Sequence, residues 1–248
     1  DTSGGLYNSD GSRLLYYPLN GAVVFNVPDG VKELSANVFR TNTILTEVYI
    51  PASIEKIGDN AFYNCTKIKK ITIAEGESSL EIGDYAFYYC SLLKEIVLPA
   101  RLKSLGRYAF YYNSALKNVT FNGTAVRELG NYTFSYCKEL KNIDLPESLE
   151  TLGDYVFSGC YKLTTVNLPS TLTEMGKDVF NYCYNLSDIV IAKNNETYAT
   201  KDGILYKKTD DVITELIYCP LSCGGVDGVV NVPDTVEKVV DSAFYNNK

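Results

Sequence analysis

The chain contains no histidine among its 248 residues. Ser-His-Asp and Cys-His nucleophilic arrangements are excluded by that absence, together with the commonest nitrogen ligand of zinc. Tryptophan is also missing and methionine occurs once. No apolar run approaches the roughly 20 residues that a membrane-crossing helix needs, so no membrane insertion is expected of this segment. The chain opens on DTSGG rather than on a basic and then apolar leader, which fits either a cytoplasmic protein or one whose signal peptide has been removed. Basic residues are the minority charge, 23 against 30 acidic, for a net charge of -7. That balance argues against a phosphate-backbone partner, and no nucleic acid is expected.

What is abundant is tyrosine, with 21 residues, and a hydrophobic fraction of 46%, enough to fill a continuous core. The stretch LETLGDYVFSGCYKLTTVNL (149–168) is written out repeatedly with the same residue types at the same offsets. Aligning on Phe157 brings Phe39, Phe62, Phe87, Phe110, Phe134 and Phe180 into one column at spacings of 23, 25, 23, 24, 23 and 23 residues, and Phe244 follows after 64. A period of this length marks a solenoid, in which each unit buries its apolar face only against its neighbours.

In the unit ending at Pro169, Leu163, Val166 and Leu168 read as inward positions of a short strand, and proline stops it because it cannot donate to a ladder. Leu149 and Leu152 then reach inward around a bend where Gly153 allows a tight corner. Asp154 is placed to cap a short helical turn that turns Val156, Phe157 and Cys160 to the core. Stacking predicts a parallel sheet on one side, the concave one, and helical turns on the convex side.

Five of the seven cysteines, Cys65, Cys90, Cys137, Cys160 and Cys183, stand three residues after the column phenylalanine, where other units hold Asn42, Asn113 and Asn247. A slot shared by cysteine and asparagine reads as a buried structural ladder that donates to backbone groups at a turn. Asparagine would interrupt a ligand set and no CxxC pair exists, so no metal and no other cofactor is expected. Cys219 and Cys223 lie outside the ladder and are the pair to suspect of a disulfide in an exported protein.

The organisation expected is a single solenoid over 1–248: a hairpin module and cap at 1–30, regular repeats at 31–191, a second hairpin module at 192–231, and the start of a further repeat at 232–248. Asp10-Gly11 supplies the first hairpin turn, and DGILYKKTDDVITELIYCP (202–220) repeats the plan. Two insertions, at 74–83 and 122–130, follow strands and should make the stack bulge without breaking it.

The unit CxxLxxIxLPxxLxxIGxxAFxxC, clear at IGDNAFYNC (57–65), IGDYAFYYC (82–90) and LGDYVFSGC (152–160), resembles the leucine-rich repeats of the BspA-like family of bacterial cell-surface proteins. The resemblance implies a leucine-rich repeat right-handed coil, export to the surface and adhesion to a protein, in some members a host or matrix protein. Without histidine an enzyme would need paired carboxylates in a cleft, and a regular solenoid offers no obvious one, so a non-catalytic role is expected. A departure lies after the strand, where the better-known repeat pattern wants asparagine or cysteine and this chain has Ser53, Arg101, Ser148 or Thr171.

Two surfaces are candidates, the further alternative being a structural spacer in a longer surface protein. On the strand, the outward column Tyr49, Thr72, Val97, Thr120, Asp144, Asn167 is irregular where the core is monotonous, as a protein-recognition surface would be. Beside it Lys69, Lys94, Lys117 and Lys141 form a lysine row, which simple solubility and edge protection also explain. The alternative is convex and aromatic. Tyr85, Tyr108, Tyr132 and Tyr155 precede the phenylalanine by two residues, and Tyr89, Tyr112 and Tyr136 follow it by two. Placed four apart on a helical turn they would share a face suited to a glycan, or would merely tile the convex side.

Overall fold

The computed structural model describes residues 4–123, 125–221, 223 and 229–245. Asn247 of the cysteine–asparagine column lies outside them.

The chain winds into a β-solenoid with two strands in each coil. The strands foreseen from the Leu-x-x-Val-x-Leu pattern form the first sheet: Val24–Asn26, Glu47–Ile50, Lys70–Ile73, Glu95–Leu98, Asn118–Phe121, Asn142–Asp144, Thr165–Leu168 and Asp188–Ile191. All their pairings are parallel and in step by one repeat, as in Val48 with Ile71 or Val166 with Ile189. Side chains alternate, so Ile96 and Leu98 are buried while Val97 between them is exposed.

A second parallel sheet, not foreseen, runs along the bend after each strand. It joins Arg13–Tyr16, Glu33–Leu34, Lys56–Ile57, Leu80–Ile82, Leu102–Leu105, Glu128–Leu129, Thr151–Leu152 and Glu174–Met175, and Leu6–Tyr7 closes it with an antiparallel pairing. The insertions act differently on the two sheets. Ladder pairing in the first sheet stops between Lys70–Ile73 and Glu95–Leu98, and again between Asn118–Phe121 and Asn142–Asp144, where the extra residues fall. The second sheet passes both places without interruption, so the stack holds.

The third side of each coil corrects the expected helical turn: no helix occurs among the described residues, and therefore none long and apolar enough to cross a membrane. Residues two before and two after the column phenylalanine are left-handed, with φ of 57° and 58° at Tyr85 and Tyr89, and the same at Tyr108 and Tyr112. A helix cannot pass through such residues. The amides point along the stack instead: Tyr85, Phe87 and Tyr89 donate to the carbonyls of Arg107, Ala109 and Tyr111 at 2.8–2.9 Å. Backbone donors that a helix would satisfy internally are satisfied by the next coil.

Asp154 accordingly caps no helix. Its Oδ1 accepts the Lys177 amide of the next coil at 2.8 Å, as Asp84 Oδ1 accepts that of Arg107 at 2.7 Å. Gly153 has no positive φ. A Cβ there would stand 2.7 Å from the Asn131 amide nitrogen, so the glycine is required by coil-to-coil approach rather than by a turn.

The core follows the phenylalanine column. Phe39, Phe62, Phe87, Phe110, Phe134, Phe157 and Phe180 are buried and stack at centroid distances from 4.7 to 6.0 Å. The second hairpin, built from Ile204–Thr209 and Val212–Tyr218, is apolar on both faces. Leu205 and Tyr218 join the main core, Tyr218 lying 5.5 Å from Phe180. Ile204, Tyr206, Leu216 and Cys219 form a small second core with Ala243 of the following coil.

Candidate functional site

The strand face is laid out by register. Tyr49 pairs with Thr72, Thr120 with Val97, and Asn167 with Asp144, so the irregular column is a continuous line within each group of paired strands. All six, with Lys69, Lys94, Lys117 and Lys141, are exposed. Asn167 Nδ2 donates to Asp144 Oδ1 at 2.5 Å, which orients both side chains at one end of the line. Lys117 sits directly beside Lys94, its amide donating to the Lys94 carbonyl at 2.8 Å. Among the described residues none of the four lysines makes an ion pair. Their field is nevertheless felt nearby: a hydrogen bond from Lys162 holds the Glu139 carboxyl below the usual range, and Lys117 and Lys141 add to the effect.

On the opposite side the tyrosines do come together, though not as a helical face. Tyr85, Tyr108, Tyr132 and Tyr155 stack at 4.6–4.7 Å, and Tyr89, Tyr112 and Tyr136 at 5.0 and 5.5 Å. A third column escaped the sequence reading: Tyr63, Tyr88 and Tyr111, one residue after the phenylalanine, stack at 4.6 and 5.1 Å between the other two. Its signal was tyrosine in three consecutive coils. Burial among these neighbours pushes Tyr111 up to about 12. Lys138 Nζ lies 4.8 Å from the Tyr112 ring centre and donates to its hydroxyl at 3.2 Å. The ring planes lie within 10° of parallel in the first and third columns and within 28° in the second, so neighbouring rings partly cover one another's faces.

The small polar slots are internal. Cys65, Cys90, Cys137, Cys160 and Cys183 are buried free thiols whose Sγ donates to the carbonyl of the preceding coil's phenylalanine at 2.9–3.3 Å. Burial pushes Cys65 up to about 12 and the other four well above the ordinary thiol range. The asparagines of the slot depart from the expected donor role: Asn42 Oδ1 accepts the Leu45 amide while its Nδ2 has no partner among the described residues, and the buried Asn113 side-chain amide has none either. The place after the strand carries a second ladder: Ser53, Ser148 and Thr171 donate to the carbonyls of Val31, Val126 and Leu149 at 2.7–2.8 Å. Arg101 serves there as a longer reach, its guanidinium donating to the carbonyls of Ile54, Ala74 and Ser78 around the first insertion. Cys219 and Cys223 form a disulfide.

A cleft of about 880 Å³ opens where the second hairpin separates the 178–181 turn from residues 239–242, and Asp154, Asp178, Glu215 and Asp241 contribute to its wall. The cleft forms where the last regular coils meet the second hairpin, which interrupts the repeat. No three His, Cys, Asp or Glu side chains gather as a metal site among the described residues.

The sequence pattern described as a BspA type leucine-rich repeat region matches residues 20–124 and 80–201, with six copies. Among solved structures, a leucine-rich repeat protein of T. pallidum is 30% identical with a TM-score of 0.66, covering 73% of this chain and 86% of its own. A leucine-rich cell surface protein of Faecalibacterium prausnitzii is 25% identical with the same TM-score over 98% of this chain and 66% of its own. The pneumococcal vaccine antigen PcpA is 24% identical with a TM-score of 0.57, over 94% and 54% respectively, which speaks to the fold. No curated protein matches.

Proposed function

The chain belongs to the BspA-type leucine-rich repeat family, and from that premise we propose that it is a non-catalytic module of a secreted or cell-surface protein that binds a protein partner, in an adhesive role, on the outward face of its first sheet. The observation that carries this reading is the contrast within one strand. Inward positions repeat from coil to coil, as Val48, Ile71, Ile96, Val119, Ile143 and Val166 do, while the outward column changes at every step from Tyr49 to Asn167. Packing fixes the first set and leaves the second free for recognition. The relative described as a cell surface protein supports the location. So does the Cys219–Cys223 disulfide, a pairing that belongs to oxidising compartments.

The test is surface plasmon resonance against a panel of purified matrix and cell-surface proteins, comparing the native chain with a Thr120→Trp/Asn167→Trp variant. Both positions are exposed, so the added rings block the face without entering the core. At least one protein should bind the native chain and lose binding at least tenfold to the variant. A panel without a binder, or binders indifferent to the tryptophans, contradicts the reading.

A further inference from the structure

Ion pairing between coils follows one rule. Arg13 with Glu33, Lys32 with Glu55, Arg107 with Asp84, Arg127 with Glu150, Lys162 with Glu139 and Lys238 with Glu215 each set opposite charges on neighbouring coils. The lysine row breaks it. Lys94 and Lys117 stand in adjacent register with like charge, Lys69 and Lys141 hold the equivalent positions in the coils on either side, across the two interruptions of ladder pairing, and none has a carboxylate at ion-pair distance among the described residues. Across these four coils the exposed positions of the lysine column and of the two outward strand columns hold five lysines, counting Lys70, against Glu95 and Asp144. A locally cationic strip thus sits on a chain of net charge -7. Like charges held in register repel, and a ligand of opposite sign relieves that repulsion.

On the strand that follows Lys94, Val97 is 47% exposed, and Tyr49 on the same outward column is 41% exposed. A cationic row beside isolated apolar side chains matches a peptide better than a sulfated or uronic glycan, which would leave the apolar groups unused. We propose that the Lys69–Lys94–Lys117–Lys141 row with Val97 is the docking surface for an acidic extended segment of a protein partner. The segment's carboxylates meet the lysines and an apolar side chain covers Val97. This inference rests on the reading that the first sheet's face binds a protein.

Fluorescence anisotropy with a labelled peptide of alternating glutamate and leucine tests it on the full chain. The peptide should bind, about tenfold more weakly as ionic strength rises from roughly 0.05 to 0.5 M, and its glutamine counterpart should not bind. Lys94→Glu/Lys117→Glu should weaken binding at least tenfold with an unchanged Tm, and Val97→Asn severalfold. Absence of peptide binding, or binding indifferent to the charge reversal, overturns the inference. So does a heparin oligosaccharide that binds this row more tightly than the peptide. In the surface plasmon resonance panel, a partner lost on Thr120→Trp/Asn167→Trp yet kept by the charge-reversed variant defeats this inference alone. A partner kept by both defeats the underlying reading.

Discussion

The Sγ of Cys160 donates to the carbonyl oxygen of Phe134, 3.2 Å away in the preceding coil, and both residues are completely buried. One side chain thereby fills core volume and satisfies a backbone acceptor that no water can reach. Cys160→Ala removes both and should cost about 1–3 kcal/mol, lowering Tm by about 2–10 °C. Cys160→Ser keeps a donor and should cost less than alanine. Thermal unfolding followed by circular dichroism ranks the three; alanine equal to the native chain would show that the ladder contributes nothing.

The buried thiols also set an alkaline limit. Cys65 is raised to about 12 from an ordinary 9.0, and its four equivalents are raised as well, all by burial. For a group whose folded pKa lies above the unfolded one, the stabilisation is full below the unfolded value and is lost as pH climbs towards the folded value. Urea midpoints should therefore change little through these groups from pH 7 to about 9 and fall steadily from about 9 to 12. Native thiols should resist alkylation at pH 8 and react once the chain is unfolded. A midpoint that rises above pH 9 contradicts the assignment.

Arg101 tests the first insertion. Its guanidinium serves the carbonyls of Ile54, Ala74 and Ser78 while only 8% of the residue is exposed. Burial lowers its pKa, with Glu75 and Glu55 opposing. Arg101→Met keeps the stem and strands the carbonyls, at a cost of about 3 kcal/mol. Arg101→Lys should recover less than half of that, since an ammonium cannot spread its donors in a planar fork. Urea denaturation of the three proteins checks the order.

The left-handed tyrosines give a third ranking. Tyr108 holds φ at 57° and stacks on Tyr85 and Tyr132 at 4.7 and 4.6 Å. A bulky residue in that region costs about 1–3 kcal/mol, and each stacked pair returns about 0.5–1.5 kcal/mol. Tyr108→Asn loses the stacking but suits the backbone, whereas Tyr108→Ala loses the stacking and keeps the strain. Tm should fall in the order native, asparagine, alanine; alanine above asparagine would show that backbone strain is not part of the balance.

The sequence carried the core and the strand face because both repeat with chemically narrow choices: phenylalanine, leucine and a cysteine-or-asparagine slot recur at fixed offsets. It did not carry the second sheet, whose strands are as short as Thr151–Leu152 and too brief for any alternation to register. The left-handed turns were legible in principle. The tyrosine columns also hold Asn60, Asn64, Gly159 and Asp178, the residue types that favour positive φ, and all four adopt it. Tyrosine in the same columns read as an amphipathic helical pair because nothing in its own chemistry signals a left-handed backbone. The second ladder was hidden because Ser53, Ser148 and Thr171 look like ordinary loop residues until the preceding coil supplies their acceptors.

Which face meets the partner is decided most directly by a photoreactive benzoylphenylalanine placed at Thr120 in one protein and at Tyr108 in another, each irradiated with a bound partner from the panel. Thr120 is exposed on the first sheet and Tyr108 lies in the stacked aromatic column. Crosslinks from position 120 and none from position 108 are the predicted result. Crosslinks from 108 alone would move recognition to the tyrosine side and contradict it.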